Sequence, residues 1–161
     1  MKVLIATAKD ISTITDLLNQ TAELLHAKNL TQWGEKFPQA DIQNEIAKRR
    51  VYQVVSFGKI VAVFSLRDSD YFWHTTDLNP ACVYFYRFAL AKHKIGKNIG
   101  SVVYRAIEKF IVLGLGKSVI RLDCWAGNTF LKKFYESHQF IHQGDFPESD
   151  YQISLYEKQF F

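Results

Sequence analysis

The spacing of hydrophobic positions switches repeatedly between the two-residue period of strands and the period of about 3.6 residues that marks helices. The apolar run 2–6 predicts a first strand, and Ile14, Leu17 and Leu18 follow at helical spacing after Asp10, a favoured N-cap residue. The later predicted strands are 51–57, 60–66, 81–91, 119–125, 140–143 and 151–157, and the later helices are 41–50, 100–113 and 128–138. This order predicts an α/β fold with a mixed sheet and helices on both of its faces.

Turn-forming residues support these boundaries. Gly58-Lys59 separates two strand-like runs and predicts a tight hairpin. Gly114 and Gly116 follow the third helix, where glycine commonly ends a helix. A polar segment containing Pro147 predicts a loop between the last two strands. Because no linker, repeat or low-complexity tract interrupts the chain, we expect a single domain over residues 1–161.

Composition narrows the class of protein. The 161 residues are 48% hydrophobic, which excludes a disordered chain, and no segment approaches the length of a membrane span. The first residues do not read as a signal peptide, so a cytoplasmic protein without membrane attachment is expected. Cys82 and Cys124 both lie in apolar runs and are expected to be reduced thiols. No cysteine or histidine cluster has metal-ligand spacing, so we expect no metal.

Positive charge is clustered in two short segments rather than spread as one long run. The formal net charge is +4, and lysines recur at Lys92, Lys94 and Lys97 and again at Lys132 and Lys133. Such charge suits a polyanion, which leaves a nucleic acid and a phosphate-bearing cofactor open. Local clustering favours the phosphates of a cofactor, and no nucleic-acid partner is expected. Salt-sensitive binding to nucleic acid would favour the other reading.

A glycine-containing loop follows the predicted strand 81–91. It reads Ile95-Gly96-Lys97-Asn98-Ile99-Gly100 and leads into a helix that begins with Ser101 in its first turn. A helix N-terminus presents free backbone N–H groups and the positive end of the helix dipole, which together bind anions. An ordinary turn would explain the same residues, so this loop alone does not establish an anion-binding site.

A second segment, RLDCWAGNTFLKKFYESHQF over residues 121–140, favours the anion-binding interpretation of this loop. With the loop above, the segment 6–10 and the hairpin 57–62, it resembles the GCN5-related N-acetyltransferases, the GNAT family. The resemblance implies a GNAT-like, mostly antiparallel sheet whose strands splay apart to form a cleft for acetyl-CoA. It also implies a transferase that moves the acetyl group to a primary amine by direct attack.

The resemblance assigns roles to particular residues. Tyr135 would protonate the departing sulfur as a general acid, although an aromatic residue on a helix stripe is otherwise a core residue. Three positions depart from the family pattern, because Ile95 replaces Gln or Arg, and Asn98 and Gln139 each replace glycine. The cofactor would be bound by Ala89, Leu90, Ala91, Ile95, Gly96, Lys97, Asn98, Ile99, Gly100, Ser101 and Asn128.

The sequence indicates the residues that would bind the acceptor amine less specifically than it indicates those for the cofactor. Trp33, Glu35 and Trp73 lie in the two regions that border the acceptor in the family, with Asp68 and Asp70 as further carboxylates that would attract a cationic amine. We therefore expect a small-molecule amine. A general base remains open between Glu35, water and Asp123, which alternatively accepts hydrogen bonds from Arg121 or Arg87. The alternative function is a catalytically weak acyl-CoA sensor, and the chain is expected to be a monomer or a homodimer.

Overall fold

The computed structural model describes residues 1–34, 36–70, 73 and 79–161. In this part of the chain the α-helices are α1 (Ile11–His26), α2 (Gln39–Ala47), α3 (Gly100–Lys109) and α4 (Thr129–Ser137). The strands are β1 (Lys2–Ile5), β2 (Val51–Ser56), β3 (Lys59–Arg67), β4 (Cys82–Leu90), β5 (Val119–Trp125), β6 (Ile141–Glu148) and β7 (Tyr151–Gln159). Within the described residues these strands form one sheet in the order β1-β2-β3-β4-β5-β7-β6.

The chain divides into two compact units, and the first comprises Met1–Leu66 and Arg87–Phe110. Here β1, β2 and β3 pair antiparallel, with Leu4 opposite Gln53 and Val54 opposite Ala62. Helices α1 and α2 are amphipathic and bury their apolar stripes against this part of the sheet. The resulting core contains Ala6, Ile14, Leu17, Leu18, Ile42, Ile46, Val51, Val63, Ala89 and Ala91.

The second unit comprises Arg67–Tyr86 and Ile111–Phe161. Residues 82–84 of β4 pair parallel with 119–121 of β5, and β7 pairs antiparallel with both β5 and β6. Strict alternation along β5 buries Ile120, Leu122 and Cys124 on one face. The opposite face therefore carries Arg121, Asp123 and Trp125, and this polar face becomes important for the chemistry.

The predicted order of helices and strands is confirmed, and so is the mixed, mostly antiparallel sheet. The prediction of one domain and of a splayed acetyl-CoA cleft stays a prediction. Helix α3 differs at its end, because Phe110–Gly114 continues it as a π-helix. None of the described helices combines the length and the hydropathy that crossing a membrane requires.

The prediction of a loop around Pro147 is wrong. Strand β6 extends through Pro147, which lies opposite Gln152 of β7. Since β6 is the outermost strand of the described sheet, proline is tolerated there because its missing N–H can face away from the neighbouring strand. A register shift between His142 and Gly144 marks a bulge that further disrupts this edge.

Candidate active site

The glycine-containing loop adopts left-handed backbone where the sequence analysis placed its turn. After Ala91, whose N–H donates to the Val61 carbonyl at 2.9 Å, the chain forms a short 3₁₀ turn over Lys92–Lys94. Gly96 then has φ 77° and Asn98 has φ 52°. Asparagine is among the residues that tolerate this region best, so Asn98 preserves the loop that glycine forms in the family pattern. Both residues are exposed to solvent, and so is Lys97.

The N-terminus of α3 is left uncapped by side chains. Ile99 occupies the N-cap position and makes no side-chain cap hydrogen bond. The Val103 N–H donates to the Ile99 carbonyl at 2.9 Å. The amides of the first turn, which include Gly100 and Ser101, have no acceptor within the helix. This end of α3 can therefore donate several N–H groups to an anion.

Strand β4 contains a left-handed residue before the proposed thioester-binding segment. Arg87 has φ 52°, which is unusual for a non-glycine residue inside a strand. Its guanidinium lies 5.0 Å from the centre of the Phe37 ring. Beyond Arg87, Ala89 is buried and Leu90 is half-buried. The left-handed backbone at Arg87 is a local feature that the sequence pattern did not reveal.

Asn128 performs the capping role expected from its position before α4. Its Oδ1 accepts a hydrogen bond from the Leu131 N–H at 3.1 Å, and the residue is 4% exposed. An Asn cap satisfies one of the amides that every helix start leaves open. Only Oδ1 has a recorded partner among the described residues, so the Nδ2 group remains able to donate to a ligand.

Tyr135 lies near the end of α4 and is only 6% exposed. Its ring packs edge-on against Phe134 at 5.4 Å and Phe140 at 5.6 Å, and lies 6.3 Å from the ring of Tyr156. No described residue hydrogen-bonds its hydroxyl. The side chain is thus part of the core of the second unit, as the alternative reading required, while its polar tip stays available.

The turn after α4 fixes the position of Tyr135. The Phe140 N–H donates to the Tyr135 carbonyl at 3.1 Å, and the Gln139 N–H donates to the Glu136 carbonyl at 3.0 Å. This pair of bonds is the Schellman motif, which requires a left-handed residue, and Gln139 has φ 68°. The structure thereby explains why the family places glycine where this chain has Gln139.

Burial shifts two acidic groups of the second unit. It raises the pKa of the Tyr135 phenol well above its ordinary value, with smaller contributions from Cys124 and Asp123. It also raises the pKa of the Asp123 carboxyl from 3.8 to about 6, assisted by the nearby negative charge of Asp70. Desolvation disfavours the charged form of both groups, so Tyr135 stays protonated while Asp123 titrates near neutrality.

The expected pairing of Asp123 with Arg121 is wrong. Arg121 instead donates from Nε to Glu157 at 2.8 Å and from Nη1 to the Tyr84 hydroxyl at 3.1 Å. Arg121 and Glu157 lie directly opposite each other in the register of β5 with β7, which brings their side chains together. Among the described residues none makes a hydrogen bond or ion pair with Asp123. A half-buried carboxyl in this situation is a candidate for a functional group.

The candidate acceptor residues are separated between the units. In the first unit Trp33 is half-buried and packs edge-on against Phe37 at 5.5 Å. Glu35 lies outside the described residues. In the second unit Trp73 is half-buried, and the guanidinium of Arg121 lies 4.7 Å from its ring centre.

The two further carboxylates both have cationic neighbours within the second unit. Asp70 is ion-paired with Arg67 and its side chain is 3% exposed, whereas Asp68 lies 3.6 Å from Lys117. The sequence analysis missed Arg67 altogether, although its place at the end of a strand just before Asp68 and Asp70 was a signal. Among the described residues no group of His, Cys, Asp and Glu side chains could hold a metal ion.

Comparison with known proteins supplies the family. No protein-family model matches the chain. A Bacillus subtilis (strain 168) protein, the uncharacterized N-acetyltransferase YesJ, is 30% identical over 137 residues, which covers 81% of this chain and 76% of the relative.

Solved structures agree with this relative. A GNAT-family acetyltransferase from Listeria monocytogenes 4b F2365 is 24% identical, has a TM-score of 0.75, and is matched over 99% of this chain and 94% of that chain. The aminoglycoside acetyltransferase AAC(6′)-Ib, solved with coenzyme A and kanamycin, is 18% identical with a TM-score of 0.75, over 98% and 94%. With a fold shared across nearly its whole length and a named relative at this identity, the chain belongs to the GNAT family of N-acetyltransferases.

Proposed function

We propose that this chain transfers the acetyl group of acetyl-CoA to the primary amine of a small molecule. The observation that carries this proposal is Tyr135, a buried phenol on α4 whose hydroxyl has no hydrogen-bond partner among the described residues. Its raised pKa keeps it protonated, as a general acid must be before the reaction.

For the cofactor, we assign the pyrophosphate to the loop from Ile95 to Ser101 in the first unit. Support comes from the uncapped start of α3 and from Gly96 and Asn98, whose left-handed backbone is typical of turns that bind anions. Lys97 adds a positive charge to the same loop. Backbone groups of Ala89, Leu90 and Ala91 in the first unit are assigned to the pantetheine arm. In the second unit, taken by itself, Asn128 offers its Nδ2 group as a donor. AAC(6′)-Ib with its bound coenzyme A is a precedent in this fold.

The chemical step is a direct transfer. The neutral amine attacks the thioester carbonyl carbon, a C–N bond forms, and the C–S bond breaks as the tetrahedral intermediate collapses. Tyr135 gives its proton to the departing sulfur, and the phenol regains a proton afterwards from solvent. Since the sulfur is expelled beside the same buried group, low polarity also favours the neutral thiol over the thiolate.

We assign the proton released by the amine to Asp123. Three observations support this role: the carboxyl is half-buried, it has no ion-pair partner among the described residues, and its pKa of about 6 suits a base that works near neutral pH. Asp123 and Tyr135 belong to one unit, and the Asp123 carboxylate contributes to the raised pKa of the Tyr135 phenol. Two groups whose environments set them to opposite protonation states form an acid–base pair.

For the acceptor, Trp33, Glu35 and Trp73 remain the proposed contacts. A small amine is favoured over a protein lysine by the half-buried aromatic side chains and by the kanamycin bound in AAC(6′)-Ib. Initial rates of free CoA release on a panel of small amines, compared with lysine-containing peptides, test this choice. A clear preference for the peptides would contradict it.

The decisive variant is Tyr135→Phe, which removes only the hydroxyl from a packed ring. We expect turnover to fall by roughly 10²–10⁴ while the thermal shift caused by acetyl-CoA is retained. Tyr104→Phe, which alters an equally buried tyrosine of α3, serves as the control and should keep its turnover. Wild-type turnover by the Tyr135→Phe enzyme would reduce Tyr135 to a packing residue.

A further inference from the structure

Two buried N–H donors in the second unit lack hydrogen-bond acceptors in the described part of the chain. They are Nε of Arg67, at the end of β3, and Nε1 of Trp73, which follows it. Buried polar groups of native proteins are nearly always paired. Leaving one unpaired costs about 1–3 kcal/mol, so two in one segment call for a physical explanation.

Contacts with neighbouring groups restrain both side chains. The Arg67 guanidinium forms an ion pair with the buried Asp70, and it lies 4.5 Å from the centre of the Tyr86 ring. The Trp73 ring lies under the guanidinium of Arg121 at 4.7 Å, and its backbone N–H donates to the Asp70 carbonyl at 3.4 Å. Both donors are therefore held in place before any ligand arrives.

The carboxylates nearest to these donors are already engaged. Asp70 accepts from another nitrogen of Arg67, and Glu157 accepts from Arg121. Arg67 and Asp70 also act electrostatically on Asp123, and the Asp70 carbonyl accepts the backbone N–H of Trp73, so Asp70 links both donors to the region of the proposed base. This region therefore combines the carboxyl proposed to accept the proton of the amine, Asp123, with two N–H donors that have no described acceptor, Arg67 Nε and Trp73 Nε1.

We propose that the acceptor carries, besides its primary amine, an oxygen that accepts hydrogen bonds, and that Arg67 Nε and Trp73 Nε1 bind this oxygen. The inference rests on the proposed function and names its substrate class: amines bearing a carbonyl, carboxylate or hydroxyl group. A polyamine presents ammonium groups that only donate, so it would leave both protein donors unpaired. Sites built to hydrogen-bond a substrate discriminate strongly against analogues that lack the partner.

The test compares acceptors matched in length. Butylamine and diaminobutane lack an oxygen, whereas aminobutanol and aminobutanamide carry one. We expect kcat/KM to be at least about tenfold higher for the oxygen-bearing pair, since one or both donors gain an acceptor.

Two conservative variants separate this role from packing. Trp73→Phe keeps a ring beneath Arg121 and removes only the N–H, and Arg67→Lys keeps a cation opposite Asp70 and removes Nε. Each should lower the oxygen preference by about tenfold through the rates of the oxygen-bearing acceptors alone. Trp125→Phe on β5 is the matched control, because its indole is not among the unpaired donors, and it should keep the preference.

A binding measurement distinguishes failure of this inference from failure of the proposed function. Calorimetric titration of the same four amines into the protein saturated with CoA needs no turnover. If no amine is acetylated, tighter binding of the oxygen-bearing pair that is lost in Trp73→Phe and Arg67→Lys still supports the inference. Equal use or equal affinity of butylamine and aminobutanamide, a preference that survives in both variants, or binding of none of the four overturns it.

Discussion

At the scale of single residues, burial raises the pKa of two acidic groups of the second unit. Tyr135 is buried among Phe134, Phe140 and Tyr156 and keeps its proton. Asp123 lies on the polar face of β5, where its neighbour Arg121 is already bound to Glu157. Because no described cation pairs with it, burial, assisted by the negative charge of Asp70, raises the pKa of its carboxyl to about 6.

Asp123→Asn should reveal this tuning in both activity and stability. We expect the rise of kcat/KM through about pH 6 to disappear and turnover to fall by roughly 10²–10⁴. The folded pKa lies above the ordinary value of 3.8, so the folded state holds the proton more tightly. Wild-type stability should then decline as the pH rises from about 4 to about 6, by roughly 3 kcal/mol at most. Urea unfolding across this range measures the slope, which the Asn variant should lack.

Asp145→Asn provides a control with the opposite sign. Ser154 and His142 donate hydrogen bonds to Asp145 and lower the pKa of its carboxyl. Its contribution to stability is therefore present at neutral pH and lost as the pH falls below the ordinary range of aspartate. If Asp123→Asn destabilises the protein at neutral pH as Asp145→Asn does, Asp123 is a structural acceptor and not a base.

At the scale of elements, the segment between α1 and α2 is tied to α1 by side chains. The Phe37 N–H donates to Asn19 Oδ1 at 2.6 Å, and Asn19 Nδ2 donates to the Phe37 carbonyl at 3.3 Å. His26 contacts the Gly34 carbonyl through Nε2 at 2.5 Å. Phe37 in turn packs against Trp33, so the orientation of this proposed acceptor contact depends on an amide of α1.

Asn19→Ala should loosen this segment without unfolding α1. Loss of both bonds leaves the Phe37 N–H without its acceptor, and we expect a destabilisation of about 1–3 kcal/mol. Hydrogen exchange of the Phe37 amide should accelerate accordingly. Thr21→Ala is the control, because the Thr21 hydroxyl donates only within the helix, to the Leu17 carbonyl. Unchanged exchange at Phe37 in Asn19→Ala would show that aromatic packing holds the segment by itself.

At the scale of the whole molecule, the net charge of +4 and the loop that leads into α3 both favour an anionic ligand. We expect acetyl-CoA at 100 times its dissociation constant to stabilise the folded chain by roughly 2.7 kcal/mol, seen as a higher melting temperature. An unchanged melting temperature at saturation would contradict the cofactor assignment.

Gly100→Glu should abolish this shift while leaving the free protein folded. A carboxylate in the first turn of α3 is favourable to the helix dipole, yet it opposes a phosphate at the same place. Gln43→Glu, on the exposed side of α2, adds the same charge elsewhere and should keep the shift. Retention of the full shift by Gly100→Glu would move the pyrophosphate away from this loop.

The sequence by itself determined the order of elements and the family, because periodicity and turn residues are local properties. Each of these signals extends over only a few residues, and the structure confirms the strand over 119–125, the helix around Ile14 and the hairpin at Gly58. Asn98 adopts a positive φ, which asparagine tolerates better than most residues, and this tolerance is also a local property. The loop expected at Pro147 failed because proline is excluded only from interior strands, and the position of β6 at the edge is not a local property.

Tertiary structure alone decided which charges meet. The pairing of Arg121 with Glu157 depends on the register of β5 with β7, which joins residues 36 positions apart in the chain. Only after this pair is assigned does Asp123 stand without a cation, and only then are Nε of Arg67 and Nε1 of Trp73 seen to lack acceptors. Electrostatic roles depend on distance and burial, and residues far apart in the chain set both.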